Sequence, residues 1–296
     1  MADAVVLNPR ERRQVILTLL KSTKRRILFS LFRCDDRPVV QGIVAAARRG
    51  VDVRVLITPR ARGWNKRLAR LTSELRNTGV DVRQYTGPWA KYHAKYIVAD
   101  RAAMVASLNY TQKCFESTCD FIYITSRPEL VSSLTSLFEY DWNMSQGLAP
   151  TLSGDLIVSP SGSLERFLDV LETARTQIRF IDHRVSHPKV LLVIARKMME
   201  GVRIRILGRG DLGQLYSHGK MVLVDDRVAV VGSASLSRQC LDGRREVSVV
   251  IEHAPIVAEL GRFFDKMAKL EASAKRRDSI ESDDDDDDDD DDEDDD

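Results

Sequence analysis

The 296-residue sequence holds no apolar run approaching the roughly 18 residues needed to cross a bilayer. Its first residues, Met1 to Arg13, are polar and charged where a secretory leader would be apolar. Cysteine is scarce: Cys34, Cys114, Cys119 and Cys240 form no CxxC pair, which argues against a disulfide framework and against a zinc site. No set of carboxylates, or of Cys and His, stands at metal-ligand spacing, so neither a metal nor a cofactor is expected. What is present, 43% hydrophobic residues, is ordinary for a globular protein. A soluble, cytoplasmic protein with reduced structural thiols is the expectation.

Net charge is +1, but it is unevenly spread. Fourteen of the 44 acids occupy residues 283–296 without interruption, leaving 45 positive and 30 negative charges in residues 1–282, a net of +15. A body this basic attracts polyanions, whether nucleic acid or an anionic lipid surface. The acidic run cannot bury enough apolar surface to fold, so residues 273–296 are expected to be a disordered tail.

The chain repeats itself. Val6-Leu7-Asn8-Pro9 recurs as Ile157-Val158-Ser159-Pro160, and the same offset of 151 pairs Leu20 with Leu171, Ile27 with Ile178 and Gly50 with Gly201. Each copy reads as strand, helix, strand, helix, strand. The second helix ends at a C-cap glycine, Gly50 or Gly201, before the alternating strands Val51 to Ile57 and Val202 to Leu207. This alternation predicts an α/β fold with a mixed, mainly parallel sheet in each half. The expected units are residues 1–147 and 148–272, meeting near Ser145 to Gly154. The first half carries about 35 extra residues, Thr58 to Tyr92, that read as a basic helix (Asn65 to Asn77) and a strand (Val80 to Tyr85).

Each copy then contains one string with chemistry in it. Tyr92-His93-Ala94-Lys95 runs on to Asp100 and closes with Ala106-Ser107-Leu108-Asn109; Ser217-His218-Gly219-Lys220 runs on to Asp225 and closes with Gly232-Ser233-Ala234-Ser235. Histidine and lysine at i and i+2 share one face of a strand. Turns at Asp100-Arg101 and Asp225-Asp226-Arg227 fold the next strand back as a hairpin, bringing Ser107 level with His93 and Ser233 level with His218. Imidazole, ammonium and hydroxyl on one patch suit a phosphate. Lys95, Lys220, Ser107, Asn109, Ser233 and Ser235 are therefore the expected phosphate contacts, with Asp100 and Asp225 shaping the turns.

The two strings resemble the H-x-K-x4-D-x6-G-S-x-N signature of the phospholipase D superfamily over nearly all of residues 5 to 270, departing from it at Ala106 and Ser235. That resemblance implies two α/β/α repeats facing each other about a pseudo-twofold axis, with the active site at their interface. It also implies a phosphohistidine intermediate, with His93 as nucleophile and His218 as acid/base, or the reverse. A carboxylate should orient each imidazole. Asp120, 27 residues after His93, and Glu246, 28 after His218, hold the places where the family sets one.

Three functions stay open: a phospholipase D or cardiolipin-synthase-like enzyme acting on phospholipids, a metal-independent nuclease on DNA or RNA, and a degenerate polyanion-binding module. Partners follow from the substrate, an anionic phospholipid or a nucleic acid, with peripheral membrane contact in the first case. Both repeats lie in one chain, so a monomer is expected. Arg60, Arg62, Lys66, Arg67, Arg70 and Arg76 form either a polyanion-binding face or a solvated one. Gly87-Pro88-Trp89 is either a cleft lip or a turn with a packed indole. His183, His187 and His253 stand in no comparable frame and are expected to be structural or on the surface.

Overall fold

The computed structural model describes residues 3–144 and 149–281, the last eight of these by backbone alone. The junction expected near Ser145 to Gly154 lies partly outside the described residues, as does the acidic run from residue 282. The final helix, Ala254–Glu281, continues past the boundary expected at residue 272. Among the described residues no helix is long and apolar enough to cross a membrane.

Two mixed sheets form the frame. Across the first, the strands lie in the order Ala4–Val6, Ile122–Thr125, Ala102–Ala106, Tyr96–Ala99, Arg26–Leu31, Asp52–Ile57 and Asp81–Gln84. Across the second they are Leu156–Val158, Val247–Ile251, Val228–Gly232, Met221–Val224, Gln177–Ile181 and Arg203–Leu207. Most strands in each sheet point one way. The strand that follows each His-x-Lys, Tyr96–Ala99 or Met221–Val224, runs against them, wedged between a parallel β-α-β unit and its own hairpin partner. The sheet is thus parallel at one side and antiparallel at the other.

Alternation along the strands decides which core each residue enters. In Arg26–Leu31, Ile27, Phe29 and Leu31 face an outer core under helices Pro9–Ser22, Arg37–Arg48 and Asn65–Arg76, whereas Leu28 faces inward. The second half has its own outer core, around Phe167, Ile178 and Val190. The inner faces of both sheets share a third core with helices Pro128–Trp142 and Ala254–Glu281, where Leu134 and Phe138 join Leu223, Val231 and Phe264. One continuous apolar interior therefore locks the halves together. A buried ion pair crosses it, Asp141 to Arg245 at 2.9 Å. Trp89 packs against this core with the Arg245 guanidinium 5.4 Å from its ring centre, so the Gly87-Pro88-Trp89 turn holds a packed indole.

The motif aspartates fasten each hairpin to the strand beside it. Asp100, in the left-handed region at φ 50°, accepts hydrogen bonds from the backbone N–H groups of Lys24, Arg25 and Arg26 at 2.8–3.1 Å. Asp225, at φ 51°, accepts from those of Arg175, Thr176 and Gln177 at 2.7–2.9 Å. Asparagine would preserve the turn but weaken three charge-assisted bonds. Asp225→Asn should lower the unfolding free energy by about 1–2 kcal/mol in a denaturant titration, with the KM of the remaining folded protein unchanged.

Candidate active site

Two short ladders join the halves where the histidines stand. Lys91–Tyr92 pairs in parallel with Arg244–Arg245, and Tyr216 and Ser217 pair with Thr118 and Cys119. The contacts continue through His93 N to Arg245 O at 2.9 Å and Gly219 N to Cys119 O at 2.6 Å. Any Cβ at position 219 would lie 2.4 Å from Cys119 O, so only glycine allows this approach. The ladders set each histidine beside the residue that follows its partner strand, a carboxylate from the other half.

The pairing is consequently crosswise. His93 Nδ1 lies 2.8 and 2.9 Å from the Glu246 carboxylate oxygens, and His218 Nδ1 lies 2.9 and 3.0 Å from those of Asp120. Spacing within a half identified both carboxylates; the fold exchanges their partners. With Nδ1 held by a carboxylate, each ring directs Nε2 elsewhere. Both rings line one small cavity together with His183, Arg184, Lys220, Ser233, Ser235, Cys240 and Arg244.

The expected phosphate contacts divide. Lys220, Ser233 and Ser235 line that cavity, and Asn109 lines the wider groove beside it. Lys95 is fully buried, its ammonium donating to His93 O at 2.7 Å and lying 5.0 Å from the Phe32 ring centre; its charge acts on the site through the protein. Ser107 is fully buried and lines neither cavity nor groove. Its hydroxyl donates to Asp120 at 2.6 Å and accepts from Phe121 N, while the Ser233 hydroxyl donates to Val247 O at 3.3 Å and accepts from Val247 N at 3.0 Å. Hairpin geometry places these serines level with the histidines, but Asp120 and the Val247 carbonyl, both on the neighbouring strand side, take their hydroxyls. Ala106, where the signature has glycine, turns its methyl into the outer core.

The two pairs differ electrostatically. Burial would raise the Asp120 carboxyl, but His218, Arg12 and Lys220 outweigh it and hold the group well below the usual range. Burial pushes Glu246 up to about 7, against the pull of Lys95, the Ser233 hydroxyl, Arg244 and Lys220. His93 is driven well below 6.5 by burial and then by Lys95, Arg244, Lys220 and Lys91. The structure thus holds one neutral imidazole among cations and one imidazole against a firmly ionised carboxylate.

Arg12 helps to make that difference. Fully buried, it donates to the backbone carbonyls of Cys114, Thr118 and Asp120 at 2.7–2.9 Å. Ser163 holds the equivalent place in the second half, at the repeat offset, and carries no charge. Arg12→Met leaves three buried acceptors without their donor and should cost about 3 kcal/mol or more, measured as a lowered denaturation midpoint.

Residues outside the motif complete the site. Phe32 meets the His93 ring edge-on at 4.4 Å between centres, and His183 lies parallel to the His218 ring at 6.4 Å. The repeat offset makes Phe32-Arg33 the counterpart of His183-Arg184. Each pair follows the carboxyl end of a parallel strand, Arg26–Leu31 or Gln177–Ile181, a place where α/β sheets build ligand sites. That position is the signal by which His183 could have been found. His187 instead caps helix Pro188–Met199, its Nδ1 accepting from Lys189 N, and His253 stands exposed before the last helix. A groove of about 680 Å³ opens at His218, lined by Arg33, Arg62, Trp64, Arg67, Lys113, Arg184, Arg209 and Tyr216. Of the basic residues in the first half's extra segment, Arg62 and Arg67 reach it.

Among the described residues, Cys114, Asp120 and His218 are the trio whose ligand atoms lie close enough, within 4.8 Å, to hold a metal ion. Their chemistry points away from one. Burial pushes the Cys114 thiol up to about 11, and the Asp120 oxygens are already engaged by His218, Ser107 and Thr118.

The family described as cardiolipin synthase, PLD-like domain, matches residues 16–142 and 193–268, more than half of the chain and part of each repeat. The chain belongs to this phospholipase D-like family. Its members transfer phosphoryl groups. Polyphosphate kinases of Mycobacterium tuberculosis and Mycobacterium marinum are 24% identical over 280 residues, covering 80% of this chain and 37% of theirs. The chain therefore spans little more than a third of these curated relatives. Among solved structures, polyphosphate kinase from Porphyromonas gingivalis superposes with a TM-score of 0.74 at 16% identity, over 90% of this chain and 50% of that one. Phosphatidylserine synthase from Haemophilus influenzae superposes at 0.68 and 14% identity, over 90% and 86%. At these identities the superpositions establish a shared phospholipase D-like fold.

Proposed function

We propose that this chain cleaves or transfers phosphoryl groups of a linear phosphate polyanion through a phosphohistidine on His93. The observation that carries the substrate class is the groove at His218. Six cationic side chains, Arg33, Arg62, Arg67, Lys113, Arg184 and Arg209, line it against a single acid, Asp35. A repeating anion such as single-stranded nucleic acid or inorganic polyphosphate matches that lining, and the exposed Tyr216 ring offers a stacking surface to a base. The curated relatives named for polyphosphate agree with an anionic chain.

The two histidines divide the work. His93 Nε2 attacks phosphorus; the P–O bond to the leaving group breaks, and that oxygen takes a proton from His218. Water or an alcohol then loses its proton to His218 and attacks the phosphoenzyme, breaking the N–P bond and restoring His93. Neutrality suits His93 for attack, because an imidazolium has no lone pair to give. Ionised Asp120 suits His218 for proton transfer, since it stabilises the ring's positive charge. Lys220, Ser235 and Arg244 line the cavity where the non-bridging oxygens would sit.

A second reading, phosphatidyl transfer on phospholipid, is favoured by the description of the matching family. One experiment separates the two: pure protein incubated in EDTA with polyphosphate, single-stranded DNA or phosphatidylglycerol vesicles. The polyanion reading predicts shortened chains and a steep loss of rate with salt. Arg209→Ala with Lys113→Ala should raise KM about 10- to 100-fold and flatten the salt slope by about 0.7 for each phosphate that is no longer neutralised. Phosphatidic acid from vesicles, with both chains left intact, would move the assignment to lipid. No turnover of any of the three would leave a binding module.

A further inference from the structure

The acidic run, residues 283–296, takes no part in the reaction proposed above, yet it carries charge opposite to that of the site. In the groove at His218 the six cations stand against Asp35 alone, a net of +5. Charge is better balanced in the hollow beside Lys197, where Arg175, Lys197 and Arg227 face Glu172 and Glu200, and Lys197 lies 3.0 Å from Glu200. The last helix leads to one wall of the groove. Leu270 packs on Gly213, where an added Cβ would lie 3.0 Å from the leucine side chain, and Arg205 Nη2 donates to Ala268 O at 3.2 Å. Gly213 turns strand Asp211–Leu212 into Leu215–Ser217; Arg209 before this hairpin and Tyr216 within it line the groove. Chain length supplies the reach. The helix from Leu270 to Glu281 adds 11 residues, about 16 Å, and the strand from Gly213 to Tyr216 about 10 Å. Even a helix pointing straight away from the groove would need a return of only about 26 Å, which about eight extended residues cover, leaving about seven acids to lie in it.

We infer that residues 283–296 occupy this groove when no substrate is there, so that the chain carries a competitor for its own site. The competition rests on the groove being the path of a polyanionic substrate, as proposed above. Fourteen consecutive acids present a charge at every residue, about 3.4 Å apart in an extended chain, and a nucleic-acid strand presents a phosphate about every 3.4 Å. About seven acids also come near to matching the five excess positive charges. Carboxylates engage guanidinium groups in the same forked geometry as phosphates do. They offer His93 no phosphorus to attack, so the run fills the groove without being consumed. Tethering holds its local concentration near millimolar. A grip as weak as about 0.1 mM would then raise the substrate concentration needed about 10-fold and leave the maximal rate unchanged.

Zero-length carbodiimide coupling tests the placement without any turnover. In the full chain at low salt an amide should form between the acidic run and Lys113, the exposed lysine of the groove, read by mass spectrometry of the joined peptides. Polyphosphate, or about 0.5 M salt, should abolish it. Coupling confined to Lys266, Lys269 or Lys275 on the last helix, or no coupling at all, overturns the inference. Fluorescence anisotropy with single-stranded DNA reads the competition. A full-length variant with every aspartate of residues 283–296 changed to asparagine, and Glu293→Gln, should bind about 10-fold more tightly than the parent at about 50 mM salt, with the advantage gone by about 0.5 M. Lys113→Ala with Arg209→Ala should weaken binding more in that variant than in the parent, where the same change also loosens the run. Equal affinity of parent and neutralised protein overturns the inference. So do effects that simply add, because the run would then repel DNA from a distance instead of filling the groove. Coupling to Lys113 in a protein that turns over no substrate would sink the proposed reaction and leave the occupant in place.

Discussion

His93→Ala should abolish the covalent intermediate and lower turnover by about 10⁴-fold or more, whereas His218→Ala should still form it from an activated substrate. The expectation rests on the unequal surroundings of the two rings. Burial and four nearby cations keep His93 neutral, with its Nδ1 proton committed to Glu246. Asp120 stays ionised against His218, so His218 is set to carry and return a proton. A nitrophenyl phosphodiester makes the distinction measurable, because its leaving group departs without protonation. Single turnovers of His218→Ala quenched in alkali, which preserves the acid-labile N–P bond, should then show a phosphorylated peptide containing residue 93, accumulating because no base activates the water that would remove it. Since both rings serve one reaction, the double substitution should be no slower than His93→Ala alone. Phosphate trapped on residue 218, or near-normal turnover in either single variant, would contradict the assignment.

How far the site was legible can be traced residue by residue. The repeated strings located His93, Lys95, His218 and Lys220, because a two-residue strand period and a repeated offset are both visible in one dimension. Spacing also located Asp120 and Glu246. Their exchange between halves could not be seen, because it is made by ladders of two residues each, Lys91–Tyr92 with Arg244–Arg245 and Tyr216–Ser217 with Thr118–Cys119, too short to leave a periodic signal. Ser107 and Ser233 are expected on phosphate for a different reason: the neighbouring strand of the same half, which brings Asp120 to Ser107 and Val247 to Ser233, cannot be read from the linear string. His183 stands in no H-x-K frame, and nothing in the string shows that it lies, like its repeat counterpart Phe32, against a motif histidine. The groove cations come from five separate stretches of the chain, two of them on helices, and are neighbours only in the fold. Helix boundaries, by contrast, were written locally. Asn8 caps Pro9–Ser22 by accepting from Arg10 N, and the basic helix expected at Asn65 to Asn77 is present as Asn65–Arg76.

Glu246 ties activity to pH and sets it against stability. Its carboxyl, pushed up to about 7 by burial, must be ionised to accept the His93 Nδ1 proton and leave the Nε2 lone pair facing the cavity. A protonated Glu246 no longer demands that tautomer. The rate should therefore climb as pH rises to about 7 and level off above it. The stability linkage has the opposite sign. A folded-state pKa near 7, above the ordinary 4.5, means the folded protein holds this proton more tightly than the unfolded chain does. The stability gained this way is fully present below about 4.5 and is lost as pH rises through about 7, on the order of 3 kcal/mol in all. Glu246→Gln removes the titrating group and fills nearly the same volume. It should melt higher than the parent at about pH 8, show no such advantage near pH 5, and turn over about 10²- to 10⁴-fold more slowly, without the step near 7. A side chain that merely filled space would give the reverse: a lower melting temperature at pH 8 and a pH profile parallel to that of the parent protein.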